Sequence, residues 1–198
     1  MRRAKSRGRR RPGKMFPLPL VLLLTTAACA TSAAEYCAFG RRDLAANHLA
    51  ASSRSYHRCI AEDPTRGDAY LALGEIYLRE EKWSTAANAF RQAAHLDPSL
   101  AGAAHPLLVD ALYKDALYEI RLGKRREAIA SFAALYEQAP DYPGLRETYA
   151  VVLLRHGRDA ILKDDYVTGV SALKEVLRVD PTNETARTLL ERTRFAAD

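Results

Sequence analysis

The chain predicts an all-α fold, a solenoid of about four helical hairpins closed by one further helix, and three observations carry that reading. Apolar residues fill 48% of its 198 positions but aromatics only 8%, the balance of helices that pack through alanine and leucine. Apolar side chains recur at i, i+3, i+4 and i+7 in paired segments, the stripe of an amphipathic helix. The pairs close on prolines 64, 98, 140 and 181, spaced 34, 42 and 41 residues apart, and self-similarity at such intervals marks a repeat array.

Residues 67–100 show the unit most plainly. Tyr70, Leu73, Gly74 and Tyr77 share one face of a first helix; Ala86, Ala89, Phe90 and Ala93 share one face of a second. The stretch "REEKW" between them is a polar turn, and Asp97-Pro98 ends the unit because a residue before proline is pushed out of helical geometry. Gly74 and Ala86 are small where the two helices cross, so the backbones approach while Phe90 and the tyrosines fill the flanks.

The other units follow in order. At 33–66, Tyr36, Phe39, Gly40, Ser52, Tyr56, Cys59 and Pro64 take the same places, with Asp43 where the second tyrosine would stand. At 109–142, Ala128, Phe132, Leu135 and Pro140 form the second half, and the first helix is expected over Leu112 to Leu122 with Ala116 at the crossing. At 150–183, Gly169, Leu173, Val176 and Pro181 correspond, with a first helix over Leu153 to Leu162 and Gly157 at the crossing. The extra eight and seven residues of these last units equal about two helical turns, about 11 Å, and keep the apolar stripe in phase. They predict first helices lengthened to begin near Pro106 and Pro143, since proline suits a helix's first turn. Loop insertions at "LAGAA" and "DYPG" are the alternative. A stack leaves its last apolar face open, and residues 183–196 supply the cover: Thr182 or Asn183 caps a helix whose stripe is Ala186, Leu189, Leu190 and Thr193.

The order aromatic, Leu-Gly, Tyr, Ala, Phe, Ala, Pro resembles the tetratricopeptide repeat, with Tyr70 standing in for the family's tryptophan. The resemblance implies a right-handed superhelical solenoid whose concave face, lined by the first helices, binds a protein or extended peptide. It therefore implies a non-catalytic interaction scaffold or assembly adaptor. Projecting the first helices onto that face selects Arg41; Glu75, Leu78 and Arg79; Tyr113, Leu117, Ile120 and Arg121; and Leu154, Arg158 and Ile161. An arginine recurs in every unit, which suits an acidic segment or a C-terminal carboxylate. The competing reading is solvated charge neutralised by Glu75, Asp110 and Glu119. Co-chaperone members of the family hold a carboxylate with lysine and asparagine; Cys37 and Arg41 occupy those places here, so that activity is not implied.

Charge is concentrated at one end. Residues 1–28 hold eight of the 30 Lys and Arg and none of the 24 Asp and Glu, leaving 22 bases against 24 acids in the rest. A slightly acidic body lacks the clustered bases with which a nucleic-acid binder displaces counterions. The basic stretch is followed by "MFPLPLVLLLTTAACATSAA", whose apolar run is too short to span a bilayer. Residues 1–32 thus read as an export signal ahead of a repeat domain at 33–198. "TTAACATS" resembles the lipobox of bacterial lipoproteins, with Cys29 as the lipidated residue and Thr26 where leucine is usual. Without aspartate after Cys29, the resemblance implies the periplasm-facing outer membrane; cleavage after Ala30 or Ala34 would instead give a periplasmic or secreted protein. A mitochondrial or cytosolic adaptor with a basic targeting segment is the remaining alternative.

No catalytic motif, cofactor or metal site is expected. There is no Gly-rich phosphate loop, no His-Glu-x-x-His and no nucleophile elbow. Cys37, His48, His57 and Cys59 do not make a metal set, because His57 and Cys59 are two apart on a helix and face different sides. Cys37 and Cys59 lie one on each helix of the first unit, either as a disulfide staple or as a reduced packed pair.

Overall fold

The computed structural model describes residues 32–195. The export-signal and Cys29 readings fall outside them. Nine α-helices are described: α1 Ala33–Ala45, α2 Leu49–Glu62, α3 Gly67–Arg79, α4 Trp83–Leu96, α5 Ala101–Arg121, α6 Arg125–Gln138, α7 Leu145–Ile161, α8 Tyr166–Val179 and α9 Glu184–Phe195. A short 3₁₀ turn, Pro98–Leu100, leads into α5. Each helix packs on the next in the chain, so α1/α2, α3/α4, α5/α6 and α7/α8 are hairpins and α9 covers the last of them. Among the described residues no helix is long and apolar enough to cross a membrane.

Proline sets where each hairpin ends. The residues before Pro64, Pro98, Pro140 and Pro181 are all non-helical, with ψ between 64° and 95°, as clash with the proline ring requires. Asp63, Asp97 and Asp180 then accept bonds from the backbone N–H and hydroxyl of Thr65, Ser99 and Thr182, which fixes the turn into the next unit. The third hairpin has Ala139 at this place and lacks that bond. The turns inside the hairpins are equally regular. Each carries one left-handed residue, Asn47, Glu81, Gly123 or Asp164, with φ between 58° and 77°. Their spacing repeats that of the prolines.

The core is continuous because each hairpin buries a stripe against its neighbour. Cys37, Tyr56, Cys59, Ala69, Leu73 and Ile76 join the first two hairpins, and Ala86, Ala87, Phe90, Ala104 and Ala111 join the second to the third. A longer cluster around Phe132, Leu145, Tyr149, Leu173 and Val176 reaches Ala186 of α9, whose N-terminus Asn183 caps through Ala186 N–H at 3.0 Å. Gly74 shows why the crossing residues are small: a Cβ built there would lie 2.4 Å from the Phe90 ring. Cys37 and Cys59, both fully buried, are joined by a disulfide that ties α1 to α2, with Cα atoms 5.3 Å apart. Their sulfurs are therefore bonded to each other.

Two helix starts differ from the sequence expectation. α5 begins at Ala101, five residues before Pro106, and absorbs all of "LAGAA" after Leu100 into helix. Its 21 residues exceed the 13 of α3 by the whole eight-residue insertion. Pro106 is tolerated inside because the carbonyl it leaves unpaired, that of Gly102, is at an exposed helix start. α7 begins at Leu145, after Pro143, and has 17 residues, so only four added residues are helical. The remainder forms the turn through "DYPG", where Gly144 takes φ 76°, a backbone that glycine adopts without steric cost.

Candidate functional site

The helices that line one side of the stack, α1, α3, α5 and α7, carry every partner-binding residue expected from the sequence, but the structure treats these residues differently. Arg41 is exposed and lies 3.8 Å from the carboxylate of Asp68, which Arg66 also grips at 2.6 Å. That ion pairing holds Asp68 below the usual carboxylate range, the Arg66 hydrogen bond first among its causes. Glu75 and Leu78 are half-buried and Arg79 is exposed. Arg41 therefore does not continue a row of free guanidinium groups.

Tyr113 is engaged inside the fold. Its ring packs against Phe132 and Tyr142, with centroids 5.9 and 5.0 Å away, and its hydroxyl lies 2.9 Å from that of Thr148. It latches α5 to α7. Ile120 and Ile161 also turn inward, packing on the core with Leu154 at its margin. Two of the three acids expected to neutralise this face are occupied elsewhere. Asp110 binds Lys114 and accepts the Tyr142 hydroxyl, both at 2.8 Å, while Glu119 accepts from Ser131 at 3.0 Å.

What remains open is a face on α5 and α7. Val151 is 64% and Leu162 80% exposed, and Leu117, Tyr118 and Leu122 are also exposed. Two adjoining grooves, each of about 350 Å³, share Val151 and Arg155. One runs along α7 past Leu154, Arg158 and Leu162; the other lies between Ile120, Arg121 and α7. Among the described residues, Arg121, Arg155 and Arg158 have no acidic partner within 4.0 Å, and Arg121 rests over the Tyr118 ring at 5.1 Å. Asp159, at the groove's edge, is already paired with Arg125, whose hydrogen bond depresses its pKa.

Val151, Arg155 and Leu162 were not selected by the sequence projection. They form a stripe with Arg158 at spacings of four, three and four, and that periodicity was present in the sequence; the projection followed one stripe fixed by the register of the preceding units. The same hairpins depart from the pattern on their stacking side. Where α3 places Leu73, buried to 2%, α5 and α7 place Asp115 and His156. Burial raises the Asp115 pKa, and burial with Arg125 and Arg126 lowers that of His156. Among the described residues no group of three His, Cys, Asp or Glu is placed to hold a metal.

A tetratricopeptide repeat family model matches residues 37–101 and 113–160, more than half of the chain. No curated protein matches it in sequence. Among solved structures, a TPR repeats protein from Bacteroides fragilis superposes with a TM-score of 0.53 at 17% identity, over 81% of this chain and 67% of that one. The pilF protein of Pseudomonas aeruginosa gives 0.38 at 14%, over 82% of each chain. At such identities the first likeness speaks for the fold.

Proposed function

The chain belongs to the tetratricopeptide repeat family, a fold of protein-interaction scaffolds, and from that premise we propose that it is an exported assembly adaptor that holds a partner protein on the face formed by α5 and α7. One observation carries the choice of face: exposed apolar side chains and unpaired arginines coincide there. Surfaces of this kind, large apolar area beside arginine, are where binding energy concentrates. The first two hairpins offer less, because Arg41 is paired and Phe39 is their one exposed large apolar residue among those described.

The envelope placement rests on the sequence of residues 1–32. A lipid on Cys29 would leave a tether of about 20 Å or less before α1, so the first hairpin would sit beside the membrane and the last two would face away from it. Palmitate labelling of the parent against Cys29→Ala tests the tether: label lost in the variant supports it, label retained removes it. Mass of the mature N-terminus separates lipoprotein from ordinary cleavage and from an organellar or cytosolic adaptor.

The groove itself is tested by crosslinked capture from intact cells with an Arg121→Glu, Arg158→Glu double variant. Loss of the captured partner is expected. An unchanged captured set would remove this face from the reading.

A further inference from the structure

The chemistry of the open stripe on α7 specifies an occupant. Val151, Arg155, Arg158 and Leu162 are spaced like one seam of a helix pair, with apolar residues at both ends and two cations between. The seam spans twelve residues, about 16 Å from end to end. Leu154 borders it, and Arg121 reaches it from α5 across the groove that Arg155 and Val151 line. A helix seam left open in this way packs best against another helix. Among the described residues no acid lies within 4.0 Å of Arg121, Arg155 or Arg158, and Asp159, which lines the same groove, is held by Arg125, so the carboxylates that would meet these cations belong to the occupant.

We propose that the α5/α7 face receives an acidic amphipathic helix of a partner polypeptide, with two carboxylates about one turn apart meeting Arg155 and Arg158 and a leucine-class side chain on either side meeting Val151 and Leu162. This rests on the scaffold reading above and gives it a ligand class. Bidentate geometry makes guanidinium groups selective for carboxylates, and the flanking apolar contacts supply the area that charge pairs alone lack. The groove between α5 and α7 suits a rod better than a flat anionic bilayer.

The test is fluorescence anisotropy of the purified protein with a synthetic helical probe of about eighteen residues carrying Leu-x-x-x-Glu-x-x-Glu-x-x-x-Leu. Replacing both Glu by Lys, or both Leu by Ser, is expected to weaken binding about tenfold or more, and so is Arg155→Glu with Arg158→Glu in the protein. Arg155→Lys with Arg158→Lys should restore part of the loss, which a folding defect would not. Arg41→Glu with Arg79→Glu should change binding less than about twofold, and raising salt from about 50 to about 300 mM should weaken it. Equal binding of the Lys probe, full binding by the double Glu variant, or displacement of the probe by anionic phospholipid vesicles that bind more tightly would each overturn the proposal. If the probe fails while a crosslinker at Val151 still captures a cellular protein, the ligand chemistry falls and the scaffold reading stands; if both fail, the face is not an interface.

Discussion

The first two hairpins and the last two are built on one plan but use it differently. In the first half, small and aromatic residues keep the repeat's places, a disulfide ties α1 to α2, and Arg41 and Arg66 share Asp68. In the second half the first helices are longer, the stacking leucine gives way to Asp115 and His156, and, among the described residues, the arginines beside exposed Val151 and Leu162 have no acid within 4.0 Å. The difference teaches that the hairpins that lose the stacking leucine are also the ones that carry the open face.

Removing the disulfide breaks the comparison most sharply. Cys37→Ser or Cys59→Ser is expected to lower stability by about 3 kcal/mol, read by denaturant unfolding, with the α1 and α2 amides losing hydrogen-exchange protection and α7 and α8 unaffected. Gly74→Ala comes next. Its Cβ would press into the Phe90 ring, and a loss of about 2 kcal/mol is expected, while Gly102→Ala, in open space, should gain slightly from helix propensity.

Smaller effects sharpen the contrast from the other side. Asp115→Leu restores the residue type that α3 has at Leu73 and should raise stability by about 1 kcal/mol at neutral pH. Because burial raises the Asp115 pKa, the charged form is the disfavoured one in the fold, so the gain should shrink as pH falls toward 4. His156 acts in the opposite sense. Its pKa lies below the ordinary 6.5 in the fold, so the unfolded chain takes up the proton first as pH falls through 6.5. Stability is therefore lost below that point until the folded-state pKa is passed, and His156→Leu should flatten the thermal midpoint between pH 5 and 7.

Much of this architecture is readable from residue spacing, for physical reasons. Gly74 against Phe90, or the extended backbone at Asp97 before Pro98, depends on contacts within one unit, and such contacts leave a fixed period. The starts of α5 and α7 depend instead on how a stretch beyond the unit packs: "LAGAA" enters helix and packs through Ala104, whereas "DYPG" packs through the Tyr142 ring against Tyr113 as a turn with Gly144 left-handed. The pairing of Arg41 with Asp68 and the engagement of Tyr113 with Thr148 join residues from different units. Those distances are set by stacking, which the pattern of a single unit does not contain. Arg121 and Arg158 were identifiable from the register alone, whereas Val151, Arg155 and Leu162 share a periodicity the sequence already holds but owe their exposure to how α7 packs, which that periodicity does not contain.

The central claim is that the second half of the stack holds the partner. Photo-crosslinking residues introduced singly at Val151, Arg158, Arg41 and Arg79, activated in living cells and resolved by mass, test it directly. The account predicts one discrete adduct from Val151 and Arg158 and none from Arg41 or Arg79. The same adduct from Arg41 and Arg79, with none from Val151 or Arg158, would contradict it.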